Sequence, residues 1–197
     1  MYYKKLMQPE KCLKTTTHFK GDSLTIREDL VLLPSGIQFQ REVIEHSSSV
    51  VILPIDASNN ILLVKQYRHA IKEFTLEAPA GGIDQNESPL DAANRELEEE
   101  TGYHSNSLKF LGTFWSSPGY CNEILHAFIA QSLIPIKSRQ EIDESIILKK
   151  TPMQEISVLL RKNKIKDSKT ISIITLGLMH LGLSNETWYT NSALIVC

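Results

Sequence analysis

Six of the fourteen residues from Glu87 to Glu100 are acidic, and their order matters more than their number. Glu96 and Glu100 stand four apart, and Glu99 stands three from Glu96, so on a helix the three carboxylates share one face. A charge run is usually a solvated helix face. Here the like charges repel one another and fall toward the helix C-terminus, where the backbone dipole already disfavours negative charge. Selection for stability alone would place Lys there. The repulsion is relieved when the face binds hard divalent cations, which take oxygen ligands. These residues read as a carboxylate metal site.

A helix must hold them. Ser88 is suited to the N-cap, Pro89 to the first helical position and Asp91 to the first turn, and Gly102 is placed to end the helix. Leu90, Ala93 and Leu97 form the apolar face expected to dock it on a sheet. Strands precede it: Thr15 to Phe19, Leu24 to Leu33 and Ile37 to Glu45, separated by Gly21-Asp22 and the hairpin signal Pro34-Ser35-Gly36. Ser49 to Ile55 and Ile61 to Tyr67 are expected to form a second hairpin around Asp56 to Asn60, with both strands buried on two faces. Strands return at Leu108 to Trp115, Ile124 to Ala130 and Ile146 to Lys149. Thr151-Pro152-Met153-Gln154 predicts a Thr-capped helix, and Asp167 or Ser168 starts a last one with Ile171, Ile174, Leu178 and Leu181 on its apolar face.

Composition narrows the classes. The chain has 197 residues, 42% hydrophobic and 22% charged, which suits one folded domain with a small appendage. Twenty-one Lys and Arg against 23 Asp and Glu leave no basic excess for nucleic acid. The mainly apolar stretch from Thr170 to Leu183 is too short to span a bilayer, and no signal peptide is expected, so neither membrane nor export is anticipated. Cys12, Cys121 and Cys197 make no metal-binding pair and read as reduced thiols in the cytoplasm. Residues 1–46 are expected to be an N-terminal β appendage and residues 47–197 the main domain.

The run Gly81, five residues, Glu87, seven residues, then Arg95-Glu96-Leu97-x-Glu99-Glu100-x-Gly102 resembles the Nudix box at every fixed position. One departure is Tyr103, where that family usually has an aliphatic residue. The resemblance implies an α/β (α+β) fold, the Nudix α/β/α sandwich around a mixed sheet, here with N-terminal antiparallel strands. It also implies hydrolysis of a nucleoside diphosphate linked to another group, with Mg²⁺ (or Mn²⁺) as cofactor. By that resemblance Glu96, Glu99, Glu100 and the Ala80 carbonyl are the metal ligands. Glu99 and Glu100 also join the catalytic set, while Gly81, Glu87, Arg95 and Gly102 hold the box together. Such a metal makes physical sense, since a diphosphate must be neutralised before water can attack phosphorus.

Flanking segments resemble the ADP-ribose pyrophosphatase subfamily: Gln66-Tyr67-Arg68, then Glu77-Ala78-Pro79-Ala80-Gly81, and Pro118-Gly119 beyond the box. That resemblance implies substrate contacts from Arg68, Glu77, Pro118, Gly119 and Phe39, the last as an adenine-stacking ring. Each residue has a plainer reading: a surface Arg, a turn, a core Phe. Glu123 is either a site residue or a surface acid at a strand start. A loop glutamate is implied as general base; Glu144 aligns best, with Glu141 and Asp143 left open. A homodimer built by the N-terminal strands is also implied. The expected reaction is cleavage of ADP-ribose to AMP and ribose 5-phosphate, with GDP-mannose or ADP-glucose as alternative substrates. A non-catalytic ADP-ribose sensor is disfavoured by the intact box.

Overall fold

Runs of β-branched and apolar residues build ten strands, joined by three helices, among residues 8–136 and 146–183, which the computed structural model describes. The loop acids Glu141, Asp143 and Glu144 and the tail Trp188 to Cys197 lie outside these residues.

The chain divides into two compact units, one of residues up to Ser48 together with Trp115–Ile124, the other of Ser49–Phe114 and the chain from Leu125 onward. In the first, β1 (Lys11–Lys20), β2 (Leu24–Leu32) and β3 (Gln38–His46) form an antiparallel sheet in that order. The β2–β3 turn closes through Leu33 N–H to the Ile37 carbonyl at 2.8 Å, and Gly36 supplies the positive φ it needs. Ile44 receives the 115–124 segment: its N–H donates to the Tyr120 carbonyl at 2.7 Å, beside a bridge to Cys121.

The second unit carries two sheets and the helices. One sheet runs β7 (Ala80–Gly82), β4 (Ser49–Pro54), β9 (Ile124–Pro135), β8 (Tyr103–Trp115); the other runs β10 (Ile147–Pro152), β5 (Asn60–Arg68), β6 (Glu73–Glu77). Strand β4 is buried throughout and lies parallel to β9, from Ser49 opposite Leu125 to Pro54 opposite Ala130. Alternation sends its side chains to two cores. Val50 and Ile52 meet Ala92, Ala93 and Leu97 of α1 (Pro89–Thr101), whereas Val51 and Leu53 join Ile61, Leu63, Ile129 and residues of α2 (Met153–Arg161) and α3 (Ser168–His180). The expected mixed α/β architecture with helices on both faces is present.

Helix α1 is bounded as its sequence predicts. Ser88 Oγ accepts from the Asp91 N–H at 3.2 Å, Pro89 opens the first turn, and Gly102 closes the helix at φ 70°. Four expectations need correction. Strands β4 and β5 are not a hairpin; they belong to different sheets and touch through a bridge between Ile55 and Ile61, because each finds longer partners elsewhere. Leu90 is exposed, and Ala92 is buried on the docking face with Ala93 and Leu97 instead. In α3, Ile171 is exposed while Thr170, Ile173, Ile174, Gly177 and Leu178 are buried. Thr151 caps nothing: β10 continues through Pro152, which itself occupies the N-cap of α2 without a side-chain bond. Strands β6 (Glu-Phe-Thr-Leu-Glu) and β7 (Ala-Gly-Gly) are only five and three residues long, too short to be read from sequence.

Thr151 is 1% exposed, and its hydroxyl finds no hydrogen-bond partner among the described residues. Burying an unpaired hydroxyl is costly. Thr151→Val is therefore expected to leave stability unchanged or raise it by up to about 2 kcal/mol. A capping Thr would instead lose about 1 kcal/mol. Urea unfolding monitored by circular dichroism distinguishes the two.

Candidate active site

Ala93 and Leu97 are fully buried against β4, which fixes the rotation of α1 about its axis. Three residues after each comes a carboxylate, Glu96 and Glu100, and helical geometry therefore carries both toward the same side. Glu96 is 9% exposed and Glu100 4%. Strand β7 meets them. The Ala80 N–H donates to Glu100 Oε2 at 3.1 Å, and the Glu96 carboxylate lies so close to the Gly81 α-carbon that any side chain there would collide with both its oxygens. A side chain at 81 would therefore displace the Glu96 carboxylate from this seat.

Arg95 gathers the remaining acids. Its Nε and Nη2 donate to the two oxygens of Glu87 at 2.9 and 3.0 Å, its Nη1 to Glu96 at 2.7 Å and to Glu99 at 3.1 Å, and Nη2 also to the Gly82 carbonyl at 2.9 Å. One guanidinium ties the loop before α1, the end of β7 and the acidic face together. Its bonds, helped by the Asp84 N–H at 3.0 Å, hold the Glu87 carboxyl below its ordinary range, and the acids in turn keep Arg95 firmly protonated.

A second ionic cluster lies where β5 and β6 end. Glu77, 2% exposed, receives the Arg68 fork at 2.9 Å from Nε and 2.7 Å from Nη2, the Thr75 hydroxyl at 2.5 Å, and the Lys169 ammonium from α3. Lys169 also pairs with Asp167 at 3.1 Å. The next residue, Thr170, is fully buried; its Oγ1 accepts from the Ala78 N–H at 2.8 Å and donates to Asp167 at 2.5 Å. Helix α3 is therefore fastened at two points to the segment that leads into β7.

The family described as NUDIX domain matches residues 45–171. The chain belongs to the Nudix family. It is 35% identical to the methanol dehydrogenase activator of Bacillus methanolicus, over 82% of this chain and 89% of the relative. It is 32% identical to the ADP-ribose pyrophosphatase of Bacillus subtilis (strain 168), over 82% and 88%. A crystal structure of an ADP compounds hydrolase superposes with a TM-score of 0.79 at 25% identity, covering 89% of this chain and 97% of the other.

Nudix hydrolases work with a divalent metal ion, and the donor set here suits one chemically: three carboxylates and a backbone carbonyl, all hard oxygen donors. As the side chains stand, no three acidic, imidazole or thiol groups among the described residues converge on one point, since Arg95 draws Glu96 and Glu99 to itself. The other expected site residues fall elsewhere. Phe39 lies on β3 of the N-terminal unit, 51% exposed and with the Arg41 guanidinium 4.7 Å from its ring centroid, so it is no core residue. Pro118 and Gly119 form a turn in the same unit, closed by the N–H groups of Tyr120 and Cys121 on the Ser117 carbonyl. Glu123 faces His46 at 3.7 Å. The sequence marks Asp167 as one of two helix starts and Lys169 as part of a segment, Lys164 to Thr170, that resembles the subfamily, but it gives neither of them, nor Thr75, a site role. Asp167 is legible as a helix start, but nothing local shows that the Lys two residues on reaches a carboxylate 92 residues away.

Burial alone would raise the Glu77 carboxyl, yet Arg68, Lys169 and Thr75 together hold it at about 2, against an ordinary 4.5. A carboxyl depressed on folding stabilises the protein above its unfolded pKa, and that contribution fades as pH falls through the folded value. Between pH 5 and pH 2 the protein is expected to lose about 3 kcal/mol through this group. Glu77→Gln should be less stable at neutral pH by about 3 kcal/mol, because the charged partner shared by half-exposed Arg68 and partly buried Lys169 is lost. Its stability should also vary less across that acid range; urea titrations at several pH values measure both effects.

Proposed function

We propose that this chain hydrolyses the diphosphate of ADP-ribose with Mg²⁺, releasing AMP and ribose 5-phosphate. The oxygen of one water bonds to a phosphorus atom, the bridging P–O bond breaks, and the leaving phosphate keeps the bridging oxygen. The observation that carries the reading is the seating of Glu100 and Glu96 against Ala80 and Gly81. The relatives named ADP-ribose pyrophosphatase and ADP compounds hydrolase support the substrate.

In this reading Glu96, Glu99, Glu100 and the Ala80 carbonyl would hold the metal. Bound there, the ion would neutralise diphosphate charge and acidify a water. The chain's own residues do the rest. Arg95 holds Glu96 and Glu99 by hydrogen bonds on one side of the helix, with Glu87 anchoring its far edge, and a bound ion would take over part of that hold. The Ala80 N–H fixes one oxygen of Glu100. Arg68 offers the N–H groups not spent on Glu77 to a phosphate oxygen, a bond its planar fork suits. Glu144 is our choice of base, with Glu141 and Asp143 as alternatives close by in sequence. Phe39, exposed and carrying a polar neighbour rather than a packed core, is proposed to stack on adenine. Pro118 and Gly119 are proposed as further substrate contacts.

A homodimer is proposed to form through the N-terminal unit, where Phe19, Ile26, Ile37 and Phe39 are exposed apolar residues on or beside the antiparallel sheet. The proposed compartment is the cytoplasm, where the free thiols of Cys12 and Cys121 stay reduced.

Purified protein with ADP-ribose and Mg²⁺ is expected to release AMP, with kcat/KM above that for GDP-mannose or ADP-glucose. Absence of AMP would overturn the reading, and a higher kcat/KM for another sugar nucleotide would reassign the substrate. Glu100→Gln is expected to lower kcat roughly a hundredfold or more, with circular dichroism unchanged. A near-normal rate in that variant would show that the carboxylate face is not the metal site.

A further inference from the structure

We infer that Lys169, in the first turn of α3, is a positioning residue for Arg68, acting through the buried carboxylate of Glu77. The inference rests on the proposed contact between Arg68 and the substrate diphosphate.

Glu77 has no capacity left for a ligand. An ionised carboxylate offers about four lone-pair sites, and four donors occupy this one: Arg68 Nε and Thr75 Oγ1 on Oε1, Arg68 Nη2 and Lys169 Nζ on Oε2. A group this buried and this fully bonded serves its neighbours, and the neighbour with an outward side is Arg68, whose side chain is 40% exposed. Nε and one N–H of Nη2 are spent on the carboxylate. The three other N–H groups of the rigid guanidinium point where the plane of that pair directs them.

What sets the plane is therefore decisive. The last torsion of a glutamate side chain is broad and only weakly self-restrained, so the carboxylate plane is fixed by what grips its oxygens. Thr75 grips Oε1 from the same strand. Lys169 grips Oε2 from α3 and is itself held by Asp167 at 3.1 Å. Without Lys169, Oε2 is restrained by Arg68 alone, and carboxylate and guanidinium can turn together. The bidentate pair would survive with its outward face redirected.

Helix α3 does not need Lys169 to stay in place. Ile173, Ile174 and Leu178 bury its inner face, and Thr170 bonds both Ala78 and the N-cap Asp167. A Lys169 variant should keep the fold and change the aim of Arg68. If Arg68 binds substrate and transition state alike, that change appears in KM with little effect on kcat.

The test compares wild type, Lys169→Met, Lys169→Arg, Arg68→Ala and the double variant Arg68→Ala/Lys169→Met, using ADP-ribose and Mg²⁺. Lys169→Met is expected to raise KM about tenfold with kcat held within about twofold. Lys169→Arg, which keeps a donor for Oε2, is expected to recover most of the loss. In the Arg68→Ala background Lys169→Met is expected to add nothing, because its effect passes through Arg68. A wild-type KM in Lys169→Met, or an equal KM rise with Arg68 already removed, would overturn the positioning role. An unchanged KM in Arg68→Ala would instead remove the substrate contact on which the inference rests. Failure of the wild type to hydrolyse ADP-ribose would overturn the functional reading itself.

Discussion

One guanidinium makes the acidic helix tenable. Arg95 touches three carboxylates and a backbone carbonyl, and without it Glu96, Glu99 and Glu100 would crowd the dipole-negative end of α1, whose last turn contains no basic residue. It does not cancel the charge. Three carboxylates on one cation leave two negative charges, before Glu100 is counted. Full neutralisation by a second Arg or Lys would make a better helix and remove the reason for a divalent ion to bind. The arrangement is compensated in part and left net negative, as the proposed metal site requires. The loop from Gly82 to Glu87 depends on the same side chain, since Arg95 grips both its ends.

That constraint works only because the scaffold presents α1 in one orientation. Strand β4 is buried on both faces and divides its side chains between α1 and the opposing core, so the helix is keyed by Ala92, Ala93 and Leu97 against Val50 and Ile52. The small alanines let the helix approach closely, and β7 pairs with the other side of β4 through Val51 opposite Ala80. Helix and strand are thus positioned by a common neighbour. Their contact, Glu100 on Ala80 and Glu96 on Gly81, is where the two registers meet.

The acidic face, its caps and the box spacing were legible in sequence because each is local: Ser88, Pro89 and Gly102 act within a turn, and helical periodicity relates Glu96 to Glu100. What was illegible depended on partners far along the chain. Ser49 to Ile55 and Ile61 to Tyr67 look like hairpin arms around a polar turn, yet each pairs more extensively elsewhere, the first with distant β9 and the second with distant β10 and with β6, the next strand in the chain. Thr151 has the local pattern of a cap, but its strand pairing with Ile61 extends past it and wins. Lys169 looks like any Lys in a basic stretch. Only the tertiary fold brings it to Glu77.

The two ionic clusters differ in a way that matches a diphosphate. Around Glu77 the charges of Arg68, Lys169 and Asp167 close to neutrality, which is what a nearly inaccessible carboxylate demands. Neutrality there does not silence Arg68, because a guanidinium has five donors and the carboxylate uses two. Around Arg95 the balance is the reverse: the cation is saturated and the surplus is negative. A phosphate anion can meet the first cluster through N–H groups directly, but it can meet the second only through a cation. The segment from Glu77 to Gly82 links the two, and both of its ends are held by side chains that answer to charge: Glu77 by Arg68 and Lys169, and Gly82 by Arg95. Under the proposed function a shift of that segment would disturb anion recognition and metal binding together, and α3 fastens the segment twice, at Glu77 and again at Ala78.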